Sequence, residues 1–497
     1  MKFGKNLVVG IIGTAWTGLV GFLVVPIYLR YLGISSYGLI GFFATTQALI
    51  QLMDMGLAPT MNREIARYSA SDQLEEGRRL LHTLAVVYFA TAIILGLLIC
   101  ALAPFIVQHW LRSSEINPET LTRAVMLMGL VVACRWPVAL YQGALMGMQR
   151  LIISSSVSAV MVTLANAGAV AVLALISPTV EAFFLWQAAV AFLQVAVMRR
   201  AAWDVIGRAN ERSKFDPALL RRIWRFSAGM SGIAIASILL TQLDKILLSK
   251  MLSLEDFGKY ALAGVVASAL YILLTPTFNV VYPRMATLVI QNDESALLDL
   301  YKIGTRTLVS VLLPIALSMA LYSHDVVQVW TGNYALANTV SPLVSLLVLG
   351  TACNGVMHFP YALQLAYGRT RLALTITILL AVGLVPLITI LTLRYGAIGS
   401  AAAWLSVNIT YVLLGTWMTH RTILKGHGAS WLMFDVGMPL LVSFLITYLG
   451  WLFFRVDGQP LRNLCVASGI GIAAIIVNGL ALPANAMMNF RRSGHGW

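Results

Sequence analysis

Long uninterrupted apolar runs constrain this chain more than any other feature. Segments of about 20 residues, the length a helix needs to cross about 30 Å of hydrocarbon, occur roughly fourteen times. They are apolar on all sides, whereas the strands of a membrane barrel alternate apolar and polar residues. We therefore predict an all-α polytopic membrane protein. The runs begin near Leu7, Tyr37, Leu80, Leu121, Leu151, Glu181, Ile223, Tyr260, Thr305, Thr339, Leu372, Ile398, Met433 and Asn463.

A short motif occurs twice in the chain, 220 residues apart. Residues 32–38 (LGISSYG) return as residues 252–258 (LSLEDFG), and residues 141–150 and 361–370 repeat the same offset. An even number of predicted spans separates the copies, so the two halves have the same orientation in the membrane. Duplicated helical bundles are typical of secondary transporters, with the transport path at the repeat interface.

The predicted spans divide into three groups. The longest polar interruption, residues 199–222, separates six spans from the next six, and a basic link at residues 420–431 precedes two more. We predict a first six-helix lobe at residues 1–205, a second at residues 206–425 and an additional helix pair at residues 426–497.

The charge pattern sets the topology of the chain. Only 11% of the residues are charged, too few to cover a soluble globule. The net charge of +14 is dispersed over short loops, which points to topology and membrane lipids as its cause rather than to nucleic acid. Lys and Arg favour one set of loops by about three to one, which predicts a multi-pass protein of the inner membrane with both termini cytoplasmic.

Arg135 is the charge that lies deepest in an apolar run. It sits in the middle of residues 121–146, where a charge costs about 2.5–3.5 kcal/mol. Pro137 is expected to interrupt the helix two residues later, and Gln142 lies on the same face. One interpretation is a structural arginine that satisfies carbonyl groups at the kink. The other is a cavity-lining group that contacts an anion, because a guanidinium fork suits phosphate oxygens.

Asp244 and Lys245 lie in the outer third of the predicted seventh span. Adjacent helical residues point about 100° apart and cannot pair directly. Ser237, Thr241 and Ser249 complete a polar stripe with Lys245 at intervals of four residues. The stripe predicts a face toward a cavity. The alternative is a lysine that snorkels to the interface, with Asp244 bonded to a neighbouring helix.

Further candidate residues lie at the ends of spans. Arg30 and Lys250 are repeat equivalents at the predicted outer mouths, where they either receive an anion or snorkel. Asp54 and Arg63 lie at the inner end of the second span, beside Glu64. They are interpreted as a cytoplasmic gate, with a solvated loop as the alternative.

The predicted tenth span carries one polar face. Asn354 and His358 share it with Thr351 and Tyr361. This face predicts a titratable, sugar-binding wall. A satisfied hydrogen-bond cluster between helices is the alternative.

The sequence resembles the Wzx-type polysaccharide flippases of the MOP superfamily, which also contains the MATE drug exporters. The resemblance covers nearly the whole chain. It is carried by Tyr31, Leu32, Gly33, Tyr37, Gly38, Asp54, Met55, Gly56, Leu57 and Arg63 in the first half, and by Asp244, Lys245, Phe257, Gly258, Tyr260, Gly368, Arg369, Thr370 and Arg371 in the second.

The resemblance implies a V-shaped, MATE-like carrier of two six-helix lobes that works by alternating access. It implies a cationic cavity that binds the diphosphate and glycan of an undecaprenyl-linked oligosaccharide, to which Arg135 and Lys245 correspond by type and depth. The last two helices are similar to a pair that forms a lipid-tail groove in some members. No cofactor is expected, the coupling ion is H⁺ or Na⁺, and the expected partners are membrane lipids and the polysaccharide polymerase and chain-length machinery.

Two other functions compete with a flippase. A cation-coupled MATE-like antiporter needs a membrane carboxylate, but residues 7–29 contain none and Asp244 is the candidate. A glycan polymerase or ligase needs catalytic groups in an outer loop, but residues 109–118 and 322–338 carry no paired carboxylates suited to acid–base chemistry. The sequence thus favours a transporter over an enzyme.

Overall fold

The computed structural model describes residues 2–54, 56–71, 73–207, 215–221 and 242–480. All regular elements in these ranges are helices, which confirms the predicted all-α membrane class. The chain forms two compact units, residues 1–258 and 259–497. The lobe boundary predicted near residue 205 lies beside residues 208–214, outside the described ranges, and stays a prediction.

The first unit is built from long helices packed side by side. Helix α1 packs against α6, α3 against α4, and α4 and α6 both against α7, while the short α2 and α5 pack together. Buried aliphatic and aromatic residues fill two cores between them. The helices are α1 (Lys2–Ile50), α2 (Leu57–Ala70), α3 (Leu74–His109), α4 (Pro118–Arg135), α5 (Val138–Gly147), α6 (Leu151–Leu175), α7 (Val180–Ile206) and α8, described over residues 242–251.

The second unit follows the same plan and carries an extra helix pair. Helix α11 lies at its centre and packs against α10, α13, α18 and α19, and α13 packs against α15. The division between the units falls inside α9. The helices are α9 (Leu254–Ser268), α10 (Tyr271–Ile290), α11 (Glu294–Leu321), α12 (Ser323–Thr331), α13 (Tyr334–Val356), α14 (His358–Ala366), α15 (Thr370–Thr410), α16 (Thr416–Thr422), α17 (Gly428–Ser430), α18 (Met438–Phe454) and α19 (Pro460–Leu480).

The number of membrane spans depends on how broken helices are counted. In the described part of the chain, ten helices are long and apolar enough to cross a membrane, and the bent pair α9–α10 makes eleven. Two of them contain a non-helical residue where the sequence predicts a boundary between spans, Gly33 in α1 and Gly396 in α15. The predicted seventh span begins at residues outside the described ranges. The count of fourteen therefore stays a prediction.

Each unit contains a helix break at an equivalent position of the repeat. Helix α4 ends at Arg135 and α5 begins at Val138, so Pro137 interrupts the helix as predicted. Met357, 220 residues after Pro137, separates α13 from α14. Met357 carries no proline ring, so the break recurs in the second unit without the residue that explains it in the first.

The two copies of the repeated motif contact each other within the first unit. A Cβ atom on Gly38 would overlap the carbonyl oxygen of Leu254, and one on Gly258 would overlap that of Ile34. Each contact is the repeat equivalent of the other, because both residue pairs are related by 220 positions. The contact is thus isologous, as expected at a pseudo-two-fold axis. Glycine is needed at both positions because backbone approaches backbone there.

Polar contacts attach the C-terminal helix pair to the rest of the second unit. Arg306 of α11 donates to Asp435, just before α18, at 2.5 Å. Asn463 of α19 donates to Asp325 of α12 at 2.9 Å, and Arg455, after α18, lies 3.8 Å from the same carboxylate. The pair is therefore fixed at both ends of α18.

The glycine contact predicts that Gly38→Ala destabilises the protein. The new methyl group would meet the Leu254 carbonyl, and overpacking of this kind costs about 1–3 kcal/mol. The melting temperature in detergent should fall. Gly264→Ala in α9 is the control, since nothing lies within 4 Å of the added atom. Equal melting temperatures for the two variants would contradict the prediction.

Candidate functional site

Arg135 lies at the last residue of α4, where the helix break leaves its guanidinium among the side chains of other helices. Its Nη1 donates to Oε1 of Gln47 in α1 at 3.3 Å, and its Nη2 donates to Oε1 of Gln187 in α7 at 2.7 Å. The buried Nε has no hydrogen-bond partner in the structure. Three helices therefore position this group, and its buried Nε is left without an acceptor.

The partners of Arg135 are neutral. Within the described ranges no carboxylate lies at ion-pair distance from Arg135. The Gln187 amide is held in place because its Nε2 donates to the Ala165 carbonyl at 3.3 Å, which directs Oε1 toward the guanidinium. Amide oxygens satisfy donors without cancelling charge. The site therefore keeps a positive charge that an anion would stabilise.

The hydrogen bonds bear on the two interpretations of Arg135. Its partners are side chains, and no backbone carbonyl of the described residues accepts a hydrogen bond from it. The arrangement is thus not a guanidinium satisfying carbonyl groups freed at the kink. Gln142, expected on the same face, instead donates to Ser158 Oγ at 3.0 Å.

Asp244 and Lys245 occupy different environments on α8. Asp244 is buried, with 5% of its surface exposed, whereas Lys245 is half-buried. Ser249 accepts a hydrogen bond from Trp110 Nε1 at 3.0 Å, so this part of the predicted stripe faces a neighbouring helix. Ser237 and Thr241 lie outside the described residues.

The two predicted outer-mouth cations are both exposed. The Lys250 ammonium lies 5.1 Å from the centre of the Trp110 ring, a cation–π contact. Arg30 makes no hydrogen bond or ion pair within the described ranges. The structure brings neither cation to Arg135. A contact of this kind is typical of a lysine side chain that snorkels to a membrane interface.

The polar face of the tenth span is interrupted by the break at Met357. Asn354 donates from Nδ2 to Asn408 Oδ1 at 3.0 Å. His358 Nδ1 lies 3.3 Å from the Asn354 carbonyl oxygen, and its ring meets Phe278 edge-on at 6.1 Å. Thr351 is buried. This face thus combines a hydrogen-bond cluster between helices with side chains that remain accessible.

Asp54 and Arg63 lie in separate networks. Asp54 accepts hydrogen bonds from the Tyr88 hydroxyl and from the backbone N–H of Ala58, at 3.1 Å for the latter. Arg63 instead pairs with the buried Glu64 at 2.8 Å, and Arg67 pairs with the other oxygen of that carboxylate at 2.7 Å. The structure therefore does not join the two proposed gate residues.

Sequence reasoning missed the residues that complete these clusters. Gln47 and Gln187 are uncharged residues inside predicted spans, and polar residues in apolar runs are the signal that could have identified them. Tyr88 and Phe278 carry no such signal, because aromatic residues are ordinary in membrane helices.

A family model for polysaccharide biosynthesis proteins matches residues 3–289, more than half of the chain. The chain belongs to this family. A Shigella flexneri protein provisionally described as an O-antigen transporter is 22% identical over 206 residues, which cover 40% of this chain and 47% of that protein. The chain thus spans about half the length of this curated relative.

Two solved structures share the fold of this polysaccharide biosynthesis protein. The lipid II flippase MurJ, in an inward closed conformation, has a TM-score of 0.68 at 14% identity, covering 95% of this chain and 98% of that one. An inward-facing multidrug resistance MATE transporter of the MOP superfamily has a TM-score of 0.63 at 14% identity, covering 82% and 96%. They confirm a MATE-like, multi-pass membrane fold, and the family match agrees with the resemblance to Wzx-type polysaccharide proteins.

The partly buried Asp54 predicts a pH-dependent stability in this family member. Burial raises the pKa of Asp54, and hydrogen bonds from Tyr88 and the start of α2 oppose the increase. A carboxyl whose pKa is higher in the folded state contributes stability at low pH and loses it as the pH rises through that value. Above the ordinary pKa of about 3.9, the melting temperature should fall as pH increases.

Asp54→Asn removes this titration, so its melting temperature should depend less on pH than that of the native protein. The measurement is thermal unfolding in detergent across a pH series. Parallel curves for the two proteins would show that Asp54 does not titrate differently on folding.

Proposed function

We propose that this protein is a flippase that moves a polyprenyl-diphosphate-linked oligosaccharide from the inner to the outer leaflet of the bacterial inner membrane. It works by alternating access, and its product supplies O-antigen, capsule or exopolysaccharide synthesis. The observation that carries the proposal is Arg135, a membrane cation bound by two neutral amides with its Nε unpartnered. A diphosphate supplies the missing acceptor and the missing negative charge.

Three comparisons support the substrate class. The chain belongs to the polysaccharide biosynthesis family, its Shigella flexneri relative is described as an O-antigen transporter, and its fold is similar to that of a lipid II flippase. Electrostatics favours outward movement, because an inside-negative potential drives anions outward by about 2.3 kcal/mol per charge per 100 mV. The protein acts as a transporter and catalyses no bond change.

The proposal includes a location and partners. Both termini lie in the cytoplasm, and the flipped glycan passes to the polysaccharide polymerase and its chain-length machinery. Transport is coupled to H⁺ or Na⁺, and Asp244, a buried carboxylate of α8, is the candidate ion-binding residue.

A MATE-like multidrug antiporter is the second candidate function. The fold similarity to a MATE transporter and the buried carboxylate of Asp244 favour it. Deletion of the gene separates the two functions. A flippase predicts that polyprenyl-linked oligosaccharide accumulates in the inner leaflet, whereas an antiporter predicts altered drug tolerance with unchanged surface glycan.

Arg135→Ala is expected to abolish export of the lipid-linked glycan at unchanged protein level, because the anion loses its partner. Arg135→Lys should recover part of the export, since lysine keeps the charge but not the bidentate fork. The measurement is surface polysaccharide in a complemented deletion strain. Arg123→Ala is the matched control on the same helix, as Arg123 is exposed and forms a surface pair with Glu119. Full export by Arg135→Ala would refute the anion-binding role.

Gln187→Glu tests whether the positive charge must stay uncompensated. The new carboxylate would lie where Gln187 Oε1 now accepts from Arg135 at 2.7 Å, and would neutralise the guanidinium. We expect export to fall by at least tenfold while the melting temperature holds or rises. Normal export with Gln187→Glu would show that the charge of Arg135 is not used.

A further inference from the structure

A group of stacked aromatic rings lies on the second unit, outside the Arg135 site. The rings of Phe278 and Tyr282, one turn apart on α10, stack with their centroids 5.7 Å apart and their planes 7° apart. Tyr361 of α14 stacks on Phe278 at 5.7 Å and 24°. Tyr361 has 38% of its surface exposed, and Phe278 and Tyr282 are partly exposed. The three rings, here called the aromatic platform, are therefore accessible from outside the unit.

Polar side chains on α10 show what kind of surface the platform faces. Thr275 and Asn279 are exposed and precede Tyr282 by seven and three residues, so the three share one face of the helix. Ile272, seven residues before Asn279, is exposed on the same face, and Val280 is exposed on the adjoining face. An exposed amide in a spanning helix is costly against lipid, whereas it is stable against water or a polar ligand. The exposed face of α10 beside the platform therefore carries both polar and apolar side chains.

The platform has a polar flank contributed by other helices. His358 approaches Phe278 edge-on at 6.1 Å, and its neighbour Asn354 is half-buried. Asn354 uses one N–H to bond Asn408, and its side-chain oxygen accepts no hydrogen bond within the described ranges. Asn279 also makes no hydrogen bond there. Amide donors and acceptors therefore lie on the helices that carry the stacked rings.

We propose that the aromatic platform binds a sugar ring of the lipid-linked glycan, an inference that rests on the proposed function. A pyranose presents C–H groups on its faces and hydroxyl groups at its rim. The C–H groups match the electron-rich face of Tyr361, the most exposed ring of the stack, and the hydroxyls match Asn279 and Asn354. A polyprenyl chain would leave these amides unpaired. An aromatic belt at the membrane interface would account for the tyrosines but not for Thr275 and Asn279 deeper in the helix.

The repeat-equivalent positions of the first unit, both within its described residues, form no such surface. The residue 220 positions before Phe278 is Ala58, in α2, which packs against α5. The residue 220 positions before Tyr361 is Tyr141, which is fully buried. The platform is therefore a property of the second unit, as the deep cation Arg135 is a property of the first.

The test compares two probes that share the lipid and the anion and differ by one sugar. These are undecaprenyl diphosphate and undecaprenyl-diphosphate-N-acetylglucosamine, each titrated onto the full-length protein in nanodiscs. We expect the native protein to bind the sugar-bearing probe about tenfold more tightly. Phe278→Leu and Tyr361→Leu should remove this preference. Binding of the bare diphosphate by the same variants reports that they are folded.

Two further variants separate the loss of ring stacking from a nonspecific effect of replacing an aromatic residue. Tyr361→Phe keeps the ring and should retain most of the preference. Phe192→Leu replaces an exposed aromatic residue of the first unit and serves as the matched control. Equal binding of both probes by the native protein would refute the proposal that the platform binds a sugar ring. A preserved preference in both leucine variants would refute it as well. Arg135→Ala tests the proposed function separately, because it should weaken the binding of both probes. If it weakens the binding of neither probe while the leucine variants lose the preference, the anion site is refuted and the sugar-binding platform is supported.

Discussion

The absence of water from the bilayer core is the constraint on which the rest of this structure depends. Every backbone group there must find a partner within the protein, which makes continuous helices the default and each break exceptional. The break after Arg135 is tolerated because it lies between packed helices rather than against lipid. It also ends the helix at the one residue whose charge the membrane disfavours most. The backbone interruption and the cation therefore occur together, and side chains from α1 and α7 stabilise the cation.

The duplicated backbone and its side chains have diverged to different degrees. The motif contact between Gly38 and Gly258 is symmetric, and the helix breaks at Pro137 and Met357 are equivalent in the repeat. The functional side chains are not. Arg135 corresponds to Gly355, and the buried Tyr141 corresponds to the exposed Tyr361. Backbone contacts restrict both copies to similar geometry, whereas the side chains meet different surroundings: Gly355 packs against Leu274 and Leu312, and Arg135 bonds two amides.

The sequence predicts the features that follow from hydrophobicity and local geometry. The apolar runs predict the helices, Pro137 predicts the break, and the depth of Arg135 identifies it as unusual. The partners of these residues depend on how distant helices pack, which periodicity does not encode. Gln47 and Gln187 come together at Arg135 from positions 140 residues apart in the chain. Asp54 and Arg63 show the opposite case, because they are close in sequence but belong to different hydrogen-bond and ion-pair networks.

Neutral partners explain how a cation can be both stable and useful in a transporter. A buried carboxylate beside Arg135 would satisfy the guanidinium, but a diphosphate could then bind only by displacing it and leaving it unpaired. The oxygens of Gln47 and Gln187 satisfy two donors at 3.3 and 2.7 Å, while the charge stays uncompensated and Nε has no acceptor. In the proposed transport cycle the same amides would keep the guanidinium hydrogen-bonded after the anion departs, so release would not create a bare buried charge. A transported anion requires both halves of this cycle, because a site that binds too tightly in one state cannot deliver its substrate in the other.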